Sequence, residues 1–525
     1  MVKVDKKIFI VLFVSLFLLF LKTNFRLIDD IYCCGDDHDY FVHASTIAED
    51  FDFNYDNQLK GNEEKRYNNN GKIAPKGFVG SGILSAPFVF LGNILDSIFS
   101  GNQYKNVTNY KLLMYSFSSI FYLFLSVLLI QKSLVLQGVK SVNYLENLVL
   151  VFGSGVGYFA LERYSMTHTY EVFTASLLIY LSTKLFFDEK PKDIFYFLLP
   201  ICLLLCILVR WVNYYMFFLP IIILFLAGKK ISFLNNKYIF ISMTLSISVF
   251  LFLSKQIYGI YTFDPQTIYG LNVEGVLVKI EPFFDNKSLV EVGISSLLSV
   301  ITILFSQEFG LVWFGPVIAF SFLISIYNFV RKINALNFLV LISYLQCFGL
   351  VIIWGSAASS YGFRYMFGLT PLAVIVFKNS SLGKSVSFNK LIMSLSIFSL
   401  FGILFFSSTE GTQLSLNFVT NSFGNEVIYA QPNYLSGLIS SIFDINAYLK
   451  IFATSFFGFI SFSFFIKIFG VESLNLILEN IGVSNSNAKI QELIKDATLI
   501  TYDKIIFLLL VSIILGFFTY NKFKK

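Results

Sequence analysis

Stretches of about twenty apolar residues recur along this chain, and the hydrocarbon core of a bilayer demands about that length of a spanning helix. They fall at Ile8 to Leu21 and then near 110-130, 145-161, 172-187, 194-209, 212-227, 238-253, 309-330, 337-354, 365-377, 391-407, 449-469 and 505-520. The pattern predicts an all-α polytopic membrane protein, a helix bundle of about 13 spans, good to about two. Composition agrees. Of 525 residues 56% are hydrophobic, 18% aromatic and only 14% charged, with a mean hydropathy of +0.70, whereas soluble domains carry about 25% charge. An ionised side chain at the centre of a bilayer costs roughly 2.5–3.5 kcal/mol on insertion scales, so this charge deficit excludes a disordered chain, a secreted disulfide scaffold and a coiled coil. The net charge of +6, from 39 basic against 33 acidic residues, sits mostly in short loops between apolar runs. It reads as a topology signal and implies no nucleic-acid partner. Cys202, Cys206 and Cys347 lie inside apolar runs and Cys33 and Cys34 are adjacent, which is no spaced disulfide or zinc framework.

The first run is flanked by Lys6, Lys7 and Lys22 and followed by no small-residue cleavage site, so it reads as an uncleaved anchor with a cytoplasmic N-terminus. The positive-inside rule then places Lys132, Lys140, Lys184, Lys190, Lys192, Lys229, Lys230, Lys237, Arg331, Lys332, Lys378, Lys384 and Lys390 on the cytoplasmic side. Lys522, Lys524 and Lys525 break the pattern. The long outer segments become 22-109, 254-308 and 408-448. Within them 83-99, interrupted by Pro87 and Gly92, and Ser295 to Phe305 are too short to span and suit interfacial helices. Residues 471-504 read as two amphipathic cytoplasmic helices with a turn-rich break at Gly482 to Asn487.

Several polar groups stand out at the expected outer edge. Asp36, Asp37 and Asp39, with Tyr40 beside them, form an acidic cluster that is either a site needing a cation or a solvated loop. His168 and Glu171 share a helix face at i,i+3 spacing. With the first carboxylates they would suit a hard divalent metal such as Mg or Mn, or else form a hydrogen-bonded cap. Arg210 interrupts two apolar runs, which marks a site or an interfacial, ion-paired side chain. The small-residue loop Gly355 to Tyr361 ends in Gly362-Phe363-Arg364-Tyr365, where Arg364 would hold a phosphate through its planar fork. The chain has six Arg among its 39 basic residues, so Arg at a membrane edge is a selective choice. No P-loop, dinucleotide fingerprint or zinc-protease motif is present.

Together the anchor followed by Gly35-Asp36-Asp37-His38-Asp39-Tyr40, the segment Pro75-Lys76-Gly77-Phe78 leading to Ser85-Ala86-Pro87, the His168 loop, and Arg210-x-x-Asn213 with the late Gly362-Phe363-Arg364-Tyr365 resemble the GT-C superfamily of membrane glycosyltransferases. The likeness is to bacterial mannosyltransferase-like and aminoarabinose-transferase-like enzymes. It implies a GT-C-like bundle with a long first outer loop, a catalytic module over 1-410 and a membrane extension over 411-525. It further implies a site on the outer face of the bacterial inner membrane, a polyprenyl-phosphate-linked sugar donor, and a lipid, protein or glycan acceptor. In that family an acidic residue near the start of the first outer loop is the catalytic base, by position Asp36 or Asp37. Arg364, with Arg210 or Arg163, would then clamp the donor phosphate, and Asp39, Tyr40, His168, Glu171 and Tyr361 would contact substrate. The chemistry fits the inventory. A glycoside with a poor leaving group needs two carboxylates, whereas a phosphate-linked sugar leaves as a stable anion and needs one base plus cationic stabilisation. A lipid or sugar transporter or flippase, and a polysaccharide polymerase or ligase, are the other classes with many spans and membrane-edge arginines. Transporters commonly show repeated halves, which this sequence lacks, and polymerases place their large loop late.

Overall fold

The computed structural model describes residues 36–59, 72–75, 77–99, 110–139, 143–161, 163–210, 214–229, 236–263, 289–305, 310–354, 363–405 and 470–480. The anchor at Ile8 to Leu21, the runs at 449-469 and 505-520, Tyr361, and most of 411-525 lie outside them. All regular elements among the described residues are helical, and four helices are long and apolar enough to cross a membrane: Gly80–Phe99, Tyr110–Leu136, Lys237–Tyr258 and Ala335–Ile352. The chain is thus an all-helical membrane protein.

At the centre stands His168–Phe187. It packs against Tyr110–Leu136, Asp193–Val209, Leu219–Leu226 and Thr370–Asn379 and is buried on nearly every side. Four of its hydroxyls are satisfied inside the helix. Thr174 donates to the Glu171 carbonyl, Ser176 to Val172, Ser182 to Leu178 and Thr183 to Ile179, so these small polar side chains sit in an apolar interior with their donors used.

Four apolar runs that read as continuous spans are interrupted, and the residues responsible can be named. The run 309-330 divides into Leu311–Phe314 and Pro316–Arg331 at Gly315. The run 212-227 opens with the 3₁₀ turn Tyr214–Phe217 before Leu219–Leu226, and 365-377 opens with the 3₁₀ turn Arg364–Leu369 before Thr370–Asn379. In each case a proline, Pro316, Pro220 or Pro371, sits in the first turn of the following α-helix, where its missing N–H leaves no bond unmade. The run 145-161 divides at a π-turn, Phe152–Val156, where Gly155 has φ 86°. A Cβ there would lie 2.3 Å from Phe367 Cζ and 2.8 Å from the Phe314 carbonyl oxygen. Gly155→Ala should therefore destabilise the protein by roughly 2–4 kcal/mol, combining the left-handed backbone with overpacking. Thermal unfolding in detergent measures this, and an unchanged midpoint would mean that the kink repacks freely.

Two corrections concern the first outer segment. The acidic cluster is no loop, because Asp36, Asp37 and Asp39 form the first turn of the helix Asp36–Glu49, where the positive end of the helix dipole offsets their mutual repulsion. The segment 83-99 is unbroken as well: Gly80–Phe99 continues through Pro87. Proline disturbs the hydrogen bonds of the preceding turn, and here the Tyr122 hydroxyl donates to the Leu84 carbonyl at 2.9 Å. Asp96 on the same helix caps Tyr110–Leu136 from outside, accepting from Tyr110 N at 2.7 Å and Lys111 N at 2.9 Å. Ser295 to Phe305 belongs to a longer helix, Leu289–Phe305. The first of the two helices read in 471-504 is present as Val471–Asn480.

The two ends of the bundle carry different chemistry. At one end Glu146 accepts from Lys378 and Asn389, and Asn379 donates to Gln137 at 2.9 Å, which ties three helices together. The other end holds the acidic helix and the arginines.

Candidate active site

Three segments distant in sequence bring the charged groups together. The acidic helix supplies the carboxylates, the short link 163–167 between two core helices supplies Arg163 and Ser165, and Arg364 opens the turn before Thr370–Asn379. Asp37 is held fast. Arg163 reaches it with Nη2 at 2.7 Å and Nε at 3.1 Å, and the Ser165 hydroxyl donates to its other oxygen. Both side chains of this pair are almost out of solvent, at 13% and 11% exposure. Burial works against the Arg163 charge, yet the adjacent Asp37 carboxylate raises its pKa above the usual guanidinium value. A fork-on-carboxylate bond of this kind fixes orientation as well as charge.

Asp36 is placed differently. Its side chain is 42% exposed, and Arg364 Nη1 lies 3.8 Å from Oδ2, beyond hydrogen-bonding distance. Among the described residues Arg364 Nε is buried without a hydrogen-bond partner, and the guanidinium lies 5.4 Å from the Tyr365 ring centroid. The pair thus presents an accessible carboxylate beside a guanidinium with an unspent Nε donor. Asp39 is fully buried one turn further in.

Behind Tyr365 lies a third cation. Arg210 stacks on the same ring at 4.2 Å, with Nη1 at 2.9 Å from His168 Nδ1 and 3.4 Å from Glu171 Oε2. His168 Nδ1 lies 3.2 Å from Glu171 Oε2. Both His168 and Glu171 have no solvent exposure, so they support Arg210 from within and present no surface to a ligand. Gly368 makes room for this arrangement, since a Cβ there would meet Glu171 Oε1 at 2.1 Å. Tyr215 OH donates to the Gly368 carbonyl at 2.6 Å and fixes the turn.

The far side of the acidic helix is set by His43. Its Nε2 lies 2.6 Å from the Gly77 carbonyl, which can only accept, so Nδ1 accepts from Tyr55 OH at 2.8 Å. Burial lowers the His43 pKa to about 4, and the imidazole is neutral at pH 7. Tyr258 OH donates to the same Gly77 carbonyl at 2.9 Å. A Cβ on Gly77 would lie 2.6 Å from Tyr40 Cε1, so the Tyr40 ring rests directly on this backbone.

The structure therefore gathers Asp36, Asp37, Arg163 and Arg364 at one end of the bundle and puts Arg210, His168 and Glu171 behind Tyr365. Ser165 and Tyr365 are site residues that reading by charge alone passes over. Among the described residues no three His, Cys, Asp or Glu side chains gather as a ligand set, and Asp36, Asp37 and Glu171 each face an arginine. These residues do not by themselves make up a divalent-metal site.

Fold and site together define a helical membrane protein with a carboxylate–arginine cluster at one end of its bundle. No protein-family model matches the chain, and no curated protein matches it. A solved structure similar to it is the oligosaccharyltransferase of Archaeoglobus fulgidus in its apo form, at 14% identity and a TM-score of 0.36, covering 95% of this chain and 61% of that one. The chain spans about three fifths of the length of that enzyme, and at this TM-score the likeness decides neither fold nor activity.

Proposed function

We propose that the protein is a membrane glycosyltransferase of the GT-C type that moves a sugar from a polyprenyl-phosphate donor to an acceptor hydroxyl, with Asp36 as general base and Arg364 as the phosphate-binding cation. The observation that carries this reading is the exposed Asp36 carboxylate 3.8 Å from an Arg364 guanidinium whose Nε has no hydrogen-bond partner among the described residues. In the reaction the acceptor oxygen attacks the anomeric carbon from the face opposite the phosphate. The bond from that carbon to the phosphate oxygen breaks, the acceptor proton passes to Asp36, and the departing phosphate takes its charge to Arg364. One displacement inverts the anomeric centre. Asp37, held by Arg163 and Ser165, orients the acidic helix, and Arg210 backs Tyr365 against Arg364. Tyr40 lies along the same helix for the sugar, whereas Asp39 is fully buried and presents no surface to it, and the site would face the outer side of the membrane. Transfer measured with and without a chelator decides whether a divalent ion such as Mg or Mn takes part.

The choice of Arg364 over Arg163 and Arg210 as the clamp rests on commitment, since the latter two already spend donors inside the protein. Arg364→Lys keeps the charge and loses the planar fork. With a panel of polyprenyl-phosphate monosaccharides and a membrane extract as acceptor source, the variant should show KM for the donor raised about tenfold or more, the loss of one charge-assisted hydrogen bond at roughly 1.5–3 kcal/mol. An unchanged donor KM removes Arg364 from the clamp. Transport of labelled sugar into vesicles without a new glycosidic bond would favour the carrier reading.

A further inference from the structure

The end of the bundle away from the carboxylate–arginine cluster holds a cavity of about 210 Å³ that the proposed glycosyl transfer leaves unused. It forms where Leu219–Leu226 and Thr370–Asn379 end, near the close of Pro316–Arg331 at Asn328, and where Ala335–Trp354 begins at Leu336 and Asn337. Its lining is mostly apolar, with Ile222, Leu336, Val340 and Ile375, and takes polar groups from Asn328, Asn337 and Asn379. At about 30 Å³ per water, the space is too large for a bare ion and suits a stretch of hydrocarbon chain.

Three basic residues, Lys229, Arg331 and Lys332, lie within a turn of the lining residues Leu226 and Asn328 in sequence. Asn337 Nδ2 donates to the Asn328 carbonyl at 3.1 Å and to the Lys332 carbonyl at 2.8 Å, which draws the Arg331-Lys332 corner against the cavity. Lys229 follows Leu226, a lining residue, and its backbone N–H bonds to the Leu224 carbonyl. All three are exposed, and among the described residues none has an ion-pair partner. Val330 and Ile333, on either side of Arg331 and Lys332, are 76% and 79% exposed, an alternation of grease and charge that fits the boundary between acyl chains and head groups. The positions at helix C-termini explain why cations are tolerated there. They do not explain the apolar slot beneath. Basic pockets between membrane helices recruit anionic head groups.

We propose that this pocket binds an anionic glycerophospholipid, with one acyl chain entering between Val340 and Ile375 and the phosphate held by Arg331, Lys332 and Lys229. The test uses the full chain purified in a neutral detergent, with bound lipid counted by native mass spectrometry after addition of phosphatidylglycerol, phosphatidylcholine of the same chains, or inorganic phosphate. Phosphatidylglycerol should stay bound at least tenfold better than phosphatidylcholine and raise the unfolding midpoint, and inorganic phosphate should neither bind nor compete. Arg331→Ala/Lys332→Ala and the cavity-filling Val340→Phe should each reduce retention at least fivefold. Lys190→Ala/Lys192→Ala, which removes the same charge outside the pocket, should leave it unchanged. Equal retention of both lipids, an equal loss in the Lys190/Lys192 control, competition by inorganic phosphate, or wild-type retention in Arg331→Ala/Lys332→Ala would each overturn the assignment.

Discussion

Replacing Asp36 with Asn should lower the rate of sugar transfer by about 10²–10⁴, the range that a positioned general base contributes, while leaving folding nearly untouched. The two halves of this expectation come from the same geometry. Asparagine keeps the shape of the side chain but cannot take the acceptor proton, so the chemical step suffers directly. The side chain is 42% exposed and its arginine neighbour stands at 3.8 Å, so little stability rests on that contact, and the lost helix-dipole interaction is about 0.3–1 kcal/mol. Release of polyprenyl phosphate measures the first effect and a thermal melt in detergent the second. Wild-type transfer by Asp36→Asn would refute the assignment of the base.

Asp37→Ala should do the reverse. Breaking one partner of a nearly buried ion pair strands the other, at roughly 3–5 kcal/mol, and here Arg163 would lose two hydrogen bonds while Ser165 loses its acceptor. The expected result is a large fall in the unfolding midpoint. The double variant Asp37→Ala/Arg163→Met should recover a substantial part of it, because the stranded charge goes too. A small, unrecovered shift in Asp37→Ala would show that water reaches Arg163 and that the pair anchors little. Loss of transfer in Asp37→Ala would follow the loss of the folded helix, so comparison with Asp36→Asn separates anchor from base.

What the sequence made legible follows from the price that a membrane sets on charge. Two of the six arginines, Arg210 and Arg364, stood out at the membrane edge and Arg163 entered through the family resemblance, and each of the three proves to face a carboxylate. His168 and Glu171 do share a helix face, but their complete burial was not readable, because i,i+3 spacing says which side chains meet and nothing about what covers them. The acidic cluster looked like a loop since three neighbouring carboxylates repel, and the helix dipole together with the long-range arrival of Arg163 and Arg364 lets them open a helix. Interruptions at Gly155, Gly315 and the prolines were visible as residues, yet hydropathy windows average over them. His43 gave no signal at all, because its partners Tyr55 and Gly77 are remote and neither is charged.

Successive residues on an α-helix point about 100° apart, so the placement of Asp36 and Asp37 toward two different arginines is a statement about rotational phase. Inserting a single residue ahead of Phe41, whose ring packs edge-on against Tyr115, would turn Asp37 into the place of Asp36, and deleting one would turn Asp36 into the place of Asp37. Transplanting these carboxylates into another bundle would accordingly require carrying the angular register of the whole helix, and a flexible acidic linker would not substitute for it.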